Sequence, residues 1–282
     1  MCGRYASARK RIELLEEFSV ERDKVAEPLA PDYNVAPTKP VYAVLTRRPS
    51  AGQDDAPPEV ASANGGRIGE VSESAQRQLR VVRWGLVPYW AKDVKIGSRM
   101  INARAETVAE KPAFRRAFGK RRCLLPADGY YEWQSQPGVA KQPIYISRRD
   151  GRPLALAGLY ELWRDPAVAR DDPEAWLWTA TVITTSAPDE LGMIHDRMPM
   201  IIDQARWSDW LDPANSDVAD LRSLLAPAAA TGLVTYPVST AVNSVRNNGP
   251  QLIEPLDLGT VAPLAARGEQ DVTGARGGQA LF

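Results

Sequence analysis

Met1-Cys2-Gly3-Arg4-Tyr5 opens the chain and places a cysteine directly behind the initiator methionine. Removal of Met1 is expected because the second side chain is small, and it would leave Cys2 with two nucleophiles, an α-amine and a thiol. These groups ordinarily ionise near pH ~8 and ~8.5, so both are partly reactive at neutral pH. A 1,2-aminothiol condenses with an aldehyde to an imine, and its thiol then closes a thiazolidine ring on the same carbon. Two alternatives stay open: acyl transfer by the thiolate alone, and a cysteine without a role on a frayed terminus.

The composition is that of an ordinary globular protein. The chain has 282 residues with 35 basic and 35 acidic side chains, so its formal net charge is zero. This balance argues against a polycation that coats nucleic acid, but it is compatible with a local basic groove. No apolar run approaches the ~18 residues of a membrane-spanning helix, and the basic start is not followed by a hydrophobic signal region. The sequence therefore predicts a cytoplasmic protein that does not bind membranes.

Cysteine and histidine are scarce. Cys2 and Cys123 are the only cysteines and His195 is the only histidine. These counts are too low for a disulfide scaffold, a thiolate zinc site or a histidine cluster, so we expect neither a metal nor another cofactor. A bridge between the two cysteines is disfavoured in a reducing cytoplasm. Any histidine-dependent mechanism must use His195, which lies in a polar turn where functional loops often occur, although a structural role is the alternative.

Strand patterns outnumber helix patterns and do not alternate strictly with them. This predicts an α+β fold with a largely antiparallel, barrel-like sheet and flanking helices. The strand-like runs are 41–45, 79–87, 122–125, 144–147, 154–160, 176–185, 200–202 and 233–237. We expect helices from Ser7 to about Phe18, up to about Phe118, over one or two turns in 188–194, and over 205–211 and 218–225, whereas 33–38 reads as a turn-rich segment.

One compact domain accounts for residues 1–256. Between 47 and 78 the chain has no aromatic residue and is dominated by small and polar residues, which predicts a poorly ordered insertion between two strands. Residues 257–282 are rich in Gly and Ala with little periodicity, which predicts a flexible C-terminal tail. A monomer is the default expectation.

Glu132 is a candidate general acid or base because it lies among Tyr130, Tyr131 and Trp133. Aromatic surroundings raise the pKa of a carboxyl group toward neutrality, which suits proton transfer. Strand alternation equally permits Glu132 to face solvent between buried aromatic residues. The sequence does not separate the two.

Several residue types suited to nucleic acid also occur. Asn102 and Arg104 share one face of an extended segment and could hold a substrate anion such as phosphate. Residues 111–122 contain six basic side chains and no acidic one, which fits a basic groove or a solvated helix face. The aromatic residues able to stack on bases are Trp84, Tyr89 and Trp90, although burial in the core is the commoner fate of each.

Six sequence blocks in a fixed order resemble the SRAP (SOS-response-associated peptidase) family over roughly residues 1–240, excluding the insertion. They are MCGRY (1–5), YNVAPT (33–38), WGLVPYW (84–90), INARAET (101–107), CLLPADGYYEW (123–133) and IHDRMP (194–199). The resemblance implies a compact α+β domain with a basic cleft. It also implies a protein that recognises abasic sites in single-stranded DNA and crosslinks to them through its N-terminal cysteine. The family's name also implies a peptidase activity, and removal of the protein's own Met1 is one candidate reaction.

The resemblance assigns roles to individual positions. The catalytic positions that it implies are Cys2, Asn102, Glu132 and His195, and the DNA-binding positions are Arg4, Arg104, Arg197 and Trp90. The implied substrate fits the reaction of a 1,2-aminothiol, since an abasic deoxyribose opens to the aldehyde with which such a group condenses. The same imine also permits elimination of the 3′ phosphate, which would be an abasic-site lyase activity.

Two other functions compete with this interpretation. Class II glutamine amidotransferases also begin Met-Cys-Gly and use an N-terminal cysteine as nucleophile, but they usually carry a second synthetase domain. A plain single-strand binding module would use the basic and aromatic residues reversibly, without any need for Cys2.

Overall fold

The computed structural model describes residues 2–48, 74–169, 172, 175–226 and 232–256. The strands in these ranges are β1 (Tyr5–Ser7), β2 (Arg22–Asp23), β3 (Asp32–Val35), β4 (Pro40–Arg47), β5 (Gln76–Trp84), β6 (Asn102–Arg104), β7 (Arg122–Ala127), β8 (Gly129–Gln136), β9 (Val139–Arg148), β10 (Leu154–Arg164), β11 (Trp176–Ser186), β12 (Arg197–Pro199) and β13 (Leu233–Pro237). The α-helices are α1 (Arg11–Glu17), α2 (Arg115–Lys120), α3 (Asp189–Gly192), α4 (Trp207–Leu211) and α5 (Val218–Leu224), and short 3₁₀ helices cover Val94–Arg99, Gln204–Arg206, Thr240–Asn243 and Pro250–Ile253. Among the helices of these ranges, none is long and apolar enough to cross a membrane.

Five strands close into a barrel in the order β4, β5, β11, β10 and β7. Four of the five strand contacts are antiparallel. The fifth, between β5 and β11, is parallel and closes the ring through the pairs Arg83–Thr179 and Trp84–Ala180. Closure leaves no free edge among these strands, so their backbone groups can pair within the ring. The prediction of an α+β fold with a largely antiparallel, barrel-like sheet is confirmed.

The barrel strands are apolar on both faces because each face meets a different layer. Successive side chains of a strand point in opposite directions. In β4, Val41, Ala43 and Leu45 belong to one buried cluster, which also includes residues of β1, β8 and β9. The intervening Tyr42 and Val44 belong to a second cluster, with side chains of α1, α2, α4 and α5. The helices therefore cover the barrel on one side, and a second sheet completes it on the other.

The second sheet has the order β13, β9, β8, β1 and β3 and is antiparallel throughout. Its strand β1 is internal, since Tyr5 pairs with Val35 on one side and with Tyr130 on the other. The buried ring of Tyr5 also packs against Trp84 of the barrel, with ring centroids 5.1 Å apart. The frayed-terminus alternative is thus wrong for this segment, because its first strand is held between two others.

Two local expectations were wrong because strand pairing overrides local propensity. Ser7 does not cap a helix; it ends β1 opposite Asp32, and α1 begins only at Arg11. The segment 33–38, expected to be turn-rich, forms a turn only at 37–38, and its first three residues belong to β3. In both cases the residues gain backbone partners in the second sheet, which a reading of local turn residues does not reveal.

Strand lengths also exceed the expectations. Arg47 pairs with Gln76, so both ends of the segment 47–78 belong to regular strands, and the expectation of poor order applies at most to its interior. Strand β7 continues beyond the expected run 122–125, and Pro126 pairs with Ala155 inside the sheet. Residues 200–202 were expected to be a strand, but β12 ends at 199 and Ile201 makes only an isolated bridge. The interior 49–73 and the expected tail 257–282 lie outside the described residues.

The basic segment 111–122 does not present all its charges to solvent. The helix expected there is short, covering only α2, and the last two arginines point inward. Arg121 forms a buried ion pair with Glu161, at 2.8 Å. Arg122 donates to four backbone carbonyls, those of Trp210 (2.7 Å), Phe118 (2.8 Å), Asn215 (3.0 Å) and Asp212. Burial lowers the pKa of Arg122 to about 10. At these two positions the charges hold the fold together and are not available to a partner.

Replacing Arg122 with Ala should destabilise the fold strongly. Four buried carbonyls would lose their donors, and a buried hydrogen-bonded charge typically costs about 3 kcal/mol or more when it is removed. Arg115→Ala, in the same basic segment but exposed, is the matched control and should change the free energy of unfolding by less than about 0.5 kcal/mol. Urea unfolding of both variants measures the difference. Similar stabilities for the two variants would contradict this account of the segment.

Candidate active site around Cys2

Cys2 lies inside the protein. Its exposed fraction is 0%, and it belongs to the same buried cluster as Tyr5, Tyr130 and Trp84. Burial raises the pKa of the Cys2 thiol well above its ordinary value, and the nearby negative charge of Glu132 raises it further. The expectation of a partly ionised thiol at neutral pH is thus not met in this environment. A reaction of this sulfur needs a base that takes its proton.

Asn102 fixes the backbone of Cys2. Its Nδ2 donates to the Cys2 carbonyl oxygen at 2.7 Å. Strand β6 places Asn102 there by pairing in parallel with β11, where Val182 is its partner. The preceding carbonyl, of Ile101, accepts from the Trp84 indole at 2.9 Å. The Asn102 Oδ1 is buried and accepts no hydrogen bond within the described residues, so one acceptor remains available to a donor near Cys2.

Glu132 faces the same side of its strand as the Cys2 cluster. Tyr130, two residues earlier in β8, packs in that cluster, and the Tyr131 N–H donates to the Arg4 carbonyl at 3.0 Å. The Glu132 side chain is only 5% exposed, so the solvent-facing alternative is wrong. Burial raises the pKa of this carboxyl group, while nearby positive charge, including that of His195, acts in the opposite direction.

His195 lies directly before β12, with its side chain about one third exposed (32%). Its Nδ1 accepts from the Arg197 backbone N–H at 3.0 Å and is also 2.8 Å from Asp196 Oδ1. One nitrogen cannot serve both partners in the same protonation state. The bond from Arg197 requires a lone pair on Nδ1, which places the proton of the neutral ring on Nε2, whereas the contact with Asp196 requires a proton on Nδ1. Through Nδ1 the ring can thus make either of these two contacts, but only one of them at a time.

Arg4 is held firmly beside the site. Its guanidinium donates to Asn34 Oδ1 at 2.6 Å and to the Val242 carbonyl at 2.9 Å. It also lies over the ring of Trp133, 5.8 Å from the centroid. Burial lowers the pKa of Arg4 from its ordinary value. The structure thus places Arg4 where the second sheet meets the segment around Val242.

Arg104 and Arg197 lie on either side of the end of β11. Arg104 is in β6 opposite Thr184, and Arg197 is in β12 opposite Ser186. Arg104 is exposed, whereas the side chain of Arg197 is only 13% exposed and forms a two-pronged ion pair with Glu106. The two arginines therefore share a neighbourhood but differ in availability.

Trp90 follows β5, and its neighbour is anchored near the start of β11, whereas Asn102 pairs with the middle of that strand. Trp90 is 49% exposed, and its neighbour Ala91 accepts from the Trp163 indole at 2.7 Å. Trp163 pairs with Leu177, which precedes Val182, the partner of Asn102, by five residues of β11. At a rise of about 3.4 Å per residue this is a separation of about 17 Å.

Sequence reasoning gave no role to two residues inside the quoted blocks. Asn34 is 0% exposed, accepts from Arg4 and donates to the carbonyls of Val242, Ser244 and Asn247. Glu106 binds Arg197. The available signal was a polar side chain inside each quoted block, but only tertiary contacts show which group it binds. Among the described residues, no group of three or more side chains could hold a metal ion.

Comparison with known proteins places this site in a family context. The family described as SOS response associated peptidase (SRAP) matches residues 1–245. The abasic site processing protein YoqW of Bacillus subtilis is 37% identical over 254 residues, which cover 90% of this chain and 99% of the relative. The abasic site processing protein HMCES of Gallus gallus is 35% identical over 211 residues, which cover 67% of this chain and 60% of that protein.

A solved structure agrees with the fold. The crystal structure of a protein from Bacteroides thetaiotaomicron superposes with a TM-score of 0.69 at 26% identity, covering 90% of this chain and all of that chain (100%). The family match over residues 1–245 and the relative at 37% identity over 90% of this chain establish the assignment. The chain belongs to the SRAP family.

Proposed function

We propose that this protein processes abasic sites in single-stranded DNA by forming a covalent crosslink through Cys2 after removal of Met1. The observation that carries the proposal is the anchoring of Cys2 by Asn102 next to a buried carboxyl group, Glu132, with His195 close by. The names of the YoqW and HMCES relatives support abasic sites as the substrate. Family membership favours this function over the glutamine amidotransferase and over a plain binding module.

The reaction begins with the amine. The α-amine of Cys2 attacks C1′ of the ring-opened sugar, and the carbinolamine loses one water to give an imine. The raised pKa of Glu132 suits the transfer of a proton to the departing hydroxyl and the acceptance of one from the amine. His195, with two hydrogen-bonding states on one ring, would assist opening of the sugar ring.

The thiol then completes the crosslink. Because burial keeps the Cys2 thiol protonated, the amine acts first and the sulfur second. The S–H adds across the C=N bond: sulfur bonds to C1′, nitrogen gains a hydrogen, and a thiazolidine results. Glu132 is close enough to raise the pKa of the thiol, so it is also the group placed to relay this proton. The competing fate of the imine, elimination of the 3′ phosphate, is suppressed when ring closure is fast.

Removal of Met1 is part of this proposal. The amine of Cys2 becomes available only once the first peptide bond is cleaved, and the family's name makes self-processing by this site the natural candidate. Asn102 binds the Cys2 carbonyl, so the residue that must be exposed is already held in place before cleavage.

Intact mass spectrometry tests the role of Cys2. With a single-stranded oligonucleotide that carries one abasic site, the wild-type protein should lack Met1 and give a heat-stable adduct localised to Cys2. Cys2→Ala keeps an α-amine, so it should lose the heat-stable adduct and retain some strand nicking. Cys123→Ala, which changes the other buried cysteine, should keep the adduct.

Two outcomes would contradict the mechanism. An equally stable adduct from Cys2→Ala would rule out ring closure by the thiol. Loss of Met1 without any wild-type adduct would favour an N-terminal-nucleophile hydrolase, and release of ammonia from glutamine would then be measured.

Glu132→Gln should slow crosslinking yet stabilise the protein. Folding raises the pKa of Glu132, so the stability that this group contributes is full below its unfolded pKa and lost as pH rises through the folded pKa. The variant should therefore melt at a higher temperature than the wild type at pH ~7.5, and the difference should vanish toward pH ~4. The rate of adduct formation should fall about 100-fold or more.

Thermal melts and adduct rates across pH, on wild type and variant, provide both measurements. Glu110→Gln is the control, since Glu110 forms an exposed ion pair with Arg222 and should alter neither quantity appreciably. A Glu132→Gln variant that loses stability at neutral pH together with activity would indicate a structural role for this carboxylate.

A further inference from the structure

Arg197 has almost no free hydrogen-bonding capacity. Its two terminal nitrogens donate to the two Glu106 oxygens at 2.6 and 3.0 Å, and one of them also donates to the Thr184 carbonyl at 2.6 Å. The remaining nitrogen, Nε, is buried and makes no hydrogen bond within the described residues. The edge of the guanidinium formed by its two terminal nitrogens, which could hold a DNA phosphate, is thus occupied by a carboxylate of the protein itself.

Glu106 lies under the influence of both arginines at the end of β11. Its hydrogen bond with Arg197 is the main cause that lowers the pKa of Glu106, and the charge of Arg104 lowers it as well. The side chain of Glu106 remains about half exposed (49%). This carboxylate is therefore ionised at neutral pH and can be reached from solvent.

Carboxylate and phosphate compete for the same kind of site. Both accept two parallel hydrogen bonds from one guanidinium, so Arg197 cannot bind a phosphate in this manner while Glu106 keeps its place. If Glu106 is displaced, the bonds to the Thr184 carbonyl and the pairing of β12 with β11 still hold Arg197 in position. Uncharged partners thus position Arg197, and the carboxylate of Glu106 neutralises its charge.

We propose that Glu106 determines specificity by acting as an internal counter-ion that competes with DNA phosphates for Arg197 and Arg104. This inference rests on the proposed function, in which single-stranded DNA is the ligand. Displacing Glu106 costs the same whether or not the DNA is damaged. Intact DNA recovers that cost only through reversible phosphate contacts, whereas an abasic site is retained by the covalent bond to Cys2. The carboxylate therefore shortens the stay of the protein on undamaged DNA and leaves capture of damaged DNA in place.

Binding to undamaged DNA tests this directly. Fluorescence anisotropy would follow a labelled single-stranded oligonucleotide without an abasic site, over salt concentrations from about 50 to about 200 mM. Glu106→Gln should bind it about threefold to fivefold more tightly than the wild type, as expected for release of one partly exposed ion pair. The plot of log K against log salt should become steeper by about 0.7, because one more phosphate is neutralised.

Glu110→Gln is the matched control. Glu110 lies four residues after Glu106 and forms an ion pair with Arg222, so this variant removes the same charge from a different pair. It should change affinity by less than about twofold. Adding Arg197→Gln to Glu106→Gln should abolish the gain, because the arginine that the additional phosphate would bind is then absent. Unchanged or weaker binding by a folded Glu106→Gln variant would overturn the proposal and identify Glu106 as a residue that only positions Arg197.

A second variant, Glu106→Asp, and a second measurement, adduct formation, complete the test. If Glu106→Gln melts at a clearly lower temperature, Glu106→Asp carries the test, because its shorter side chain weakens the contact with Arg197 and should give part of the gain; no gain from it overturns the proposal. Adduct formation with an abasic oligonucleotide is scored on the same proteins. Absence of adduct in the wild type would refute the proposed function, whereas normal adduct formation with unaltered affinity would refute only the role of Glu106.

Discussion

The placement of Tyr5 between two strands is the interaction on which the site depends. A terminal segment usually frays, but here Tyr5 pairs with Val35 and Tyr130 and packs its ring on Trp84. With β1 fixed, Cys2 has little freedom left. The Asn102 side chain then needs only one hydrogen bond to define where the reactive residue lies. Under the proposed function, this gives Cys2 the fixed position that a nucleophile needs to meet one carbon of a sugar.

The second constraint is that the end of β11 is paired on both of its sides. Its first half closes the barrel against β5, and its last residues are paired with β6 on one side and β12 on the other. One strand therefore positions Asn102 and Arg104 through β6, and Arg197 and the adjoining His195 through β12. Because β6 and β12 are both paired with β11, a change in the barrel core would move Asn102, His195 and the two arginines together. This explains why a small site depends on a large closed sheet.

Sequence reasoning succeeded where a pattern is local and failed where pairing is not. The runs that became β4, β10 and β11 are apolar enough to identify, and the ordered blocks brought Cys2, Asn102, Glu132 and His195 to attention. Alternation could not decide whether Glu132 faces solvent, since that depends on β1 pairing with β8, two segments more than 120 residues apart. The parallel contact between β5 and β11 that closes the barrel has no sequence signal for the same reason.

Charge was the least reliable guide, and the reason is physical. Arg122 donates hydrogen bonds to four backbone carbonyls, Arg4 donates to Asn34 and Val242, and Arg197 forms an ion pair with Glu106. A basic residue in a motif therefore says little about the electrostatic potential that a ligand meets. The chain as a whole is balanced, with equal numbers of acidic and basic side chains. A protein that held DNA by electrostatic attraction would be retained on any strand, damaged or not. Arg4 and Arg197 are committed to internal partners. In the proposed mechanism selectivity can therefore come from the aldehyde itself, since only that group can form the covalent bond to Cys2 that outlasts weak phosphate contacts.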